Sequence, residues 1–293
     1  MILKLKPFFA LFLFCIVAFG CSRDVILDSV RVPEDAASLA RGRALVKGLA
    51  ACGFCHGENA TPDSVLIGGR NSFDVYGEVI APNITPDKSG IGDWSPQEVV
   101  RAIREDTGKD DRDLSLQVHS GFQWISENDV LSIVGYLRTL PPIENSVERR
   151  SVSFIARNTA GILESKGAEV GYVPHIDPKF EVQYGGYLVD HVARCIQCHN
   201  SAATFLTAEE YLIGGKTIKT SSGEKVSPGI TNSKSDGIGS WSEENIVTFL
   251  KTSKTPQGHF SDPAFCPTGF YKNAEEKDLK AIAKYLKSLA GAN

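Results

Sequence analysis

One five-residue pattern occurs twice in this chain, as Cys52-Gly53-Phe54-Cys55-His56 and as Cys195-Ile196-Gln197-Cys198-His199. Two thiols three positions apart lie one helical turn apart and can bond both vinyl groups of one porphyrin. The side chain that follows swings beneath the iron, where an imidazole serves as proximal ligand. A zinc site would need four ligands gathered from both copies, and a Cys-x-x-Cys redox pair has no use for the adjoining histidines. The pattern predicts two covalently attached c-type haems. Cys52, Cys55 and His56 hold one; Cys195, Cys198 and His199 hold the other.

Both motifs sit inside a longer repeat. Gly42, Leu45 and Val46 stand 143 positions before Gly185, Leu188 and Val189, the offset that also separates the motifs. Gly68-Gly69 answers to Gly214-Gly215, and Ile84-Thr85 to Ile230-Thr231. Gly90-Ile91-Gly92-Asp93-Trp94-Ser95 answers to Gly237-Ile238-Gly239-Ser240-Trp241-Ser242, and Tyr136-Leu137 to Tyr285-Leu286. The slow drift in offset places short insertions in loops. This is a tandem duplication.

Each copy reads as helix, loop, helix, loop, helix. Leu39, Leu45 and Leu49 predict a helix over 38–51 that runs into the first motif. The stretch from Gly57 to Gly92 is rich in Gly, Pro, Asn and Asp and shows no strand alternation. Ser95-Pro96 is a helix start, and Ser242-Glu243-Glu244 opens the equivalent helix. The closing helices carry apolar stripes, Val130, Ile133, Val134 and Leu137 in one and Leu279, Ile282, Ala283 and Leu286 in the other. These stripes are core, packed on the motif-bearing helix, with Gly42 and Gly185 allowing close approach. The charged run 104–113 reads as a solvated loop. The expected fold class is all-α, with two helical domains at 36–142 and 181–293 and a connection at 143–180.

The first twenty residues stand apart. Lys4 and Lys6 precede an apolar run from Phe8 to Phe19, too short to span a membrane comfortably, and small residues follow. Residues 1–20 read as an export signal. Cys21 falls where a bacterial lipoprotein carries its lipidated cysteine, although Ala18 stands where such signals usually have leucine. Residues 21–35 would then tether the chain to a membrane surface. Of seven cysteines, Cys15 leaves with the signal, Cys21 takes lipid and four hold haem, so only Cys266 remains. Loss of Lys4 and Lys6 leaves a net charge of about −6, which argues against a nucleic-acid partner.

Each repeat resembles a class I cytochrome c domain, and the pair resembles the cytochrome c subunits that accompany bacterial alcohol, aldehyde and sugar-acid dehydrogenases. The motifs above carry that resemblance, together with Pro82-Asn83-Ile84-Thr85-Pro86-Asp87 and the closing Tyr136 to Pro142. It implies two cytochrome c-like helical domains around covalent haems, with Trp94 and Trp241 near the macrocycles. It also implies redox proteins as partners, a dehydrogenase or other cytochromes, on the periplasmic side. These domains normally present methionine as sixth ligand, but the one methionine here, Met1, leaves with the signal. For the first haem His119 is the replacement, while His191 reads as a surface or packing residue and His175 as a lesser candidate in the connection. For the second, Cys266-Pro267 holds the register of the missing methionine and His259 lies seven residues earlier. His259 is narrowly preferred, and a five-coordinate iron is a third reading.

The expected function is electron relay by an exported dihaem cytochrome at lower potential than Met/His haems, with no catalytic protein residue. The alternative is an enzyme acting on thiosulfate or peroxide, for which Cys266 is the sole pointer.

Overall fold

Asp35 accepts a hydrogen bond from the Ser38 N–H at 2.9 Å and opens the first helix, α1 (Ala36–Ala44). In this computed structural model residues 30–74, 77–109, 114, 118–150, 171–203 and 207–289 are described. The expected export signal, Cys21 and most of the expected tether lie outside them, as do part of the charged run and the middle of the connection. After α1 come a wide π-helical turn (Leu45–Leu49), α2 (Gly53–His56), an antiparallel hairpin β1 (Asn71–Asp74) and β2 (Gly77–Ile80), and α3 (Pro96–Arg104). A 3-10 turn at Phe122–Trp124 leads into α4 (Glu127–Thr139).

The second repeat retraces this order. It runs α5 (Glu181–Tyr187), a π-helical turn (Leu188–Val192), α6 (Ile196–His199), the hairpin β3 (Thr217–Thr220) and β4 (Gly223–Val226), α7 (Glu243–Thr252), the short α8 (Thr268–Tyr271) and α9 (Glu276–Ser288). Ser95 with Glu98, and Ser242 with Asn245, form reciprocal capping boxes at the starts of α3 and α7.

Two expectations need correction. The helix expected over 38–51 is broken, because Gly48 leaves helical geometry and Ala51 adopts a left-handed φ of 46°. The motif therefore rides on its own short helix. The stretch expected as loop carries a two-stranded hairpin, as does its counterpart in the second repeat, within a fold that is mostly helical. Their strands are largely exposed, so no buried face imposes the apolar alternation that marks a strand.

The core is the pair of stripes. Val130, Ile133, Val134 and Leu137 are buried in α4, and Leu279, Ile282, Ala283 and Leu286 in α9. α4 packs on α1, and α9 on α5. Gly42 and Gly185 permit this. A Cβ on Gly42 would lie 1.9 Å from the Ser132 carbonyl oxygen, and one on Gly185 2.1 Å from that of Ala281. From Arg31 onward the described chain packs into one body. Among the described residues no helix is long and apolar enough to cross a membrane.

Arg41 joins the two repeats. Its Nε donates to Asp129 at 2.8 Å, its Nη1 to Glu275 at 3.2 Å and to Asp278, and its Nη2 to the Tyr184 hydroxyl at 3.1 Å. Tyr184 and Tyr187 in turn donate to Asp278 and Asp129, each at 2.7 Å. Arg41 and Tyr184 are equivalent positions of the repeat, as are Asp129 and Asp278. Equivalent positions of the two copies therefore meet in this network.

Candidate haem sites

The attachment histidines are held alike. The His56 Nδ1 lies 2.8 Å from the Pro82 carbonyl, and the His199 Nδ1 2.8 Å from that of Pro228. An Nδ1–H donated to a carbonyl fixes the tautomer and leaves Nε2 as a ligand. The repeated glycine pair makes room for this. Gly68 has φ of 75° and Gly214 of 77°, and a Cβ on either would lie 2.4 Å from the carbonyl carbon of Pro82 or Pro228. Their N–H groups donate to the backbone carbonyls of His56 and His199. Cys52, Cys55, Cys195 and Cys198 form no disulfide. Burial pushes Cys52 up to about 12, opposed by Arg194, and raises the other three as well.

On the other side of the first site stands His119. Its ring centre lies 6.2 Å from that of His56. Two metal–imidazole bonds of about 2 Å, plus the step from each nitrogen to its ring centre, span roughly 6 Å. The His119 Nδ1 sits 2.8 Å from the Ala102 carbonyl, at the C-terminal end of α3, so its Nε2 is also available. Burial pulls the His119 pKa down to about 4, with His56 adding to the fall, so the imidazole is neutral and able to ligate. These residues fit a haem iron held between two imidazoles. Among the described residues no three His, Cys, Asp or Glu side chains converge as a cluster for another metal.

The second site differs. His199 has no facing imidazole among the described residues. His259 is exposed on a loop closed by the Lys254–Phe260 bridge, and His175 is exposed in the connection. Cys266 instead is coupled electrostatically to Cys195 and Cys198. Burial pushes its thiol up to about 11, Thr268 pulls against this and Cys198 adds to it, while Cys266 in turn raises Cys195. The structure buries the Cys266 thiol within electrostatic range of Cys195 and Cys198 and leaves His259, the narrowly preferred residue, at the surface. His191 packs between repeats, its Nδ1 3.1 Å from the Gly121 carbonyl.

Trp94 and Trp241 are half-buried against the core. Their loops are pinned by the closing helices: Arg138 donates to the Ile91 carbonyl at 2.7 Å and to that of Trp94, and Lys287 to that of Gly239 at 2.9 Å. Trp241 meets the Phe249 ring edge-on at 5.4 Å.

No family model matches the chain. It is 29% identical over 262 residues to a fructose dehydrogenase cytochrome subunit of Gluconobacter japonicus, covering 86% of this chain and 52% of that protein. It is 26% identical over 275 residues to an alcohol dehydrogenase (quinone) cytochrome c subunit of Gluconobacter oxydans, covering 87% and 55%. A diheme cytochrome c-type protein of Cereibacter sphaeroides is 26% identical over 251 residues, covering 80% and 81%. The chain is homologous to cytochrome c subunits of dehydrogenases. It spans about half the length of the two dehydrogenase subunits. Against that background, the residues that sequence reasoning missed are backbone groups, the Pro82, Pro228 and Ala102 carbonyls, and one side chain, Arg194. The repeated Pro beside Ile-Thr was a signal for the first two. Nothing in the repeat pointed to Ala102 or Arg194.

Proposed function

We propose that this chain is an exported dihaem c-type cytochrome that relays single electrons between a dehydrogenase and a respiratory acceptor. The observation that carries the reading is the pair of imidazoles, His56 and His119, facing each other at 6.2 Å in the repeat that carries Cys52 and Cys55. When bound, a c-type haem supplies a one-electron iron couple. His56 and His199 would each hold one haem iron, oriented by a proline carbonyl, and His119 would hold the first iron together with His56. Cys266 is assigned the corresponding place at the second. Donation from Nδ1 to a carbonyl raises imidazole basicity, and two basic ligands favour ferric iron. The names of the relatives favour relay over action on thiosulfate or peroxide.

Redox titration of the purified holo-protein, with haem counted per chain, tests this. Two haems are expected, with both couples below those of ordinary Met/His cytochromes c. Two couples in the Met/His range would overturn the ligand assignment. For the second haem, Cys266→Ala is expected to change the visible and EPR spectra and His259→Ala to leave them as they were. Lipidation of Cys21 completes the proposal. Export with a Cys21→Ser change should move the protein from the membrane fraction to the soluble periplasmic fraction.

A further inference from the structure

The segment that carries His119 is gripped from the opposite repeat. Arg194 immediately precedes the second attachment motif, yet its guanidinium reaches the first repeat. Its Nη1 donates to the Val118 carbonyl at 2.8 Å and lies 3.3 Å from that of Ser120, the two residues flanking His119. Its central carbon sits 4.1 Å from the Phe122 ring centre, a cation–π distance, and the ring of Phe122 lies 6.1 Å from that of His119. Two neighbours act with it. The His191 Nδ1 lies 3.1 Å from the Gly121 carbonyl, and Gln197 Nε2 donates to Ser120 Oγ at 3.3 Å. Gly121 has φ of 99°, and a Cβ there would lie 3.0 Å from Arg194 Cγ, so the loop is shaped around this side chain.

Among the described residues the first repeat extends no guanidinium from the equivalent position. Ala51 occupies the position equivalent to Arg194, with φ of 46° against 53°. The same backbone turn precedes both motifs, and only one of them extends a charged fork across the interface. A planar guanidinium offering several N–H donors can hold two carbonyls at once, which a single ammonium does less well.

We propose that Arg194 is a positioning residue for the first haem. From the second attachment motif it holds the 118–122 loop so that His119 stays on the iron opposite His56. The inference rests on the ligand reading above. It makes ligation of one haem depend on a side chain adjacent in sequence to the covalent anchor of the other.

The test is a cyanide titration of the ferric holo-protein, following loss of the bis-imidazole low-spin EPR signal. Cyanide takes the sixth position only when His119 releases it. In Arg194→Ala, which places the first repeat's own residue in the same backbone conformation, the half-effective cyanide concentration is expected to fall about tenfold, the worth of one charge-assisted hydrogen bond. Arg194→Lys keeps the charge without the fork and is expected to recover only part of the loss. Equal cyanide midpoints in the parent and Arg194→Ala, each with two haems per chain, would overturn the proposal while sparing the ligand assignment. A parent protein with no bis-imidazole signal would overturn that assignment and this inference with it.

Discussion

Replacing His119 by methionine restores the ligand that cytochrome c domains normally present, on a loop still held by Arg194 through the Val118 and Ser120 carbonyls. A thioether donates less than imidazole and favours ferrous iron, so the first couple should rise. A rise of at least about 60 mV, one decade in a one-electron equilibrium, is the expected outcome of potentiometric titration. The second couple should stay within experimental scatter. At this scale much was legible. The attachment residues announce themselves by spacing, and the missing methionine narrows the choice to a few histidines and one cysteine. The rest was not. His119 lies off the register of the usual ligand, and what brings it opposite His56 is a carbonyl on α3, which carries no sequence signature. The preference for His259 over Cys266 followed the commoner ligand, whereas the loop around Thr255 and Gly258 turns His259 to solvent.

Helix contacts depend on two glycines whose role the repeat already suggested. Gly42 and Gly185 are buried at the crossings of α1 with α4 and of α5 with α9, and a methyl group at either would strike backbone. Backbone cannot rotate away as a side chain can. Gly42→Ala or Gly185→Ala should therefore lower holo-protein stability by about 3 kcal/mol, read by guanidinium unfolding. Gly269→Ala in α8 is the control: a Cβ there meets nothing within 4 Å, and stability should stay within about 0.5 kcal/mol of the parent. Helix starts and apolar stripes were legible because they depend on local caps and on the 3.6-residue period. The hairpins were not, since β3 and β4 expose most of their residues and register there is set by turns at positions such as Gly223, with φ of 118°. The break before each motif was hidden too. It depends on Ala51 and Arg194 holding left-handed conformations, which side chains of this kind adopt at a cost of about 1 kcal/mol.

Across the whole molecule the two copies are joined at their attachment faces. The turn at Phe122–Trp124 packs on the turn preceding α6, and α8 packs on the turn preceding α2, so each repeat covers the other's motif-bearing end. Phe54, inside the first motif, meets Phe270 of α8 edge-on at 6.3 Å. No periodicity in the sequence reveals this pairing, because its members lie far apart in the chain and differ between copies. Arg41 answers to Tyr184, and Ala51 to Arg194. Asp129 and Asp278, one from each repeat, would by themselves place like charges together, and Arg41 is the cation set between them. Burial works against the Arg41 charge, yet Asp129 and Asp278 raise its pKa further than burial lowers it. Arg41→Leu would leave both buried carboxylates without their cation, a loss on the order of 3–5 kcal/mol. The expected result is a lower unfolding midpoint with the Soret band and tryptophan fluorescence still changing together, since the interface remains apolar around Tyr184, Tyr187, Leu45 and Leu188. Adding Asp278→Asn removes one of the stranded charges and should recover at least about 1 kcal/mol. If the double variant were no more stable than Arg41→Leu, the carboxylates would not be what Arg41 holds together, and the junction between the repeats would have to rest on its apolar contacts.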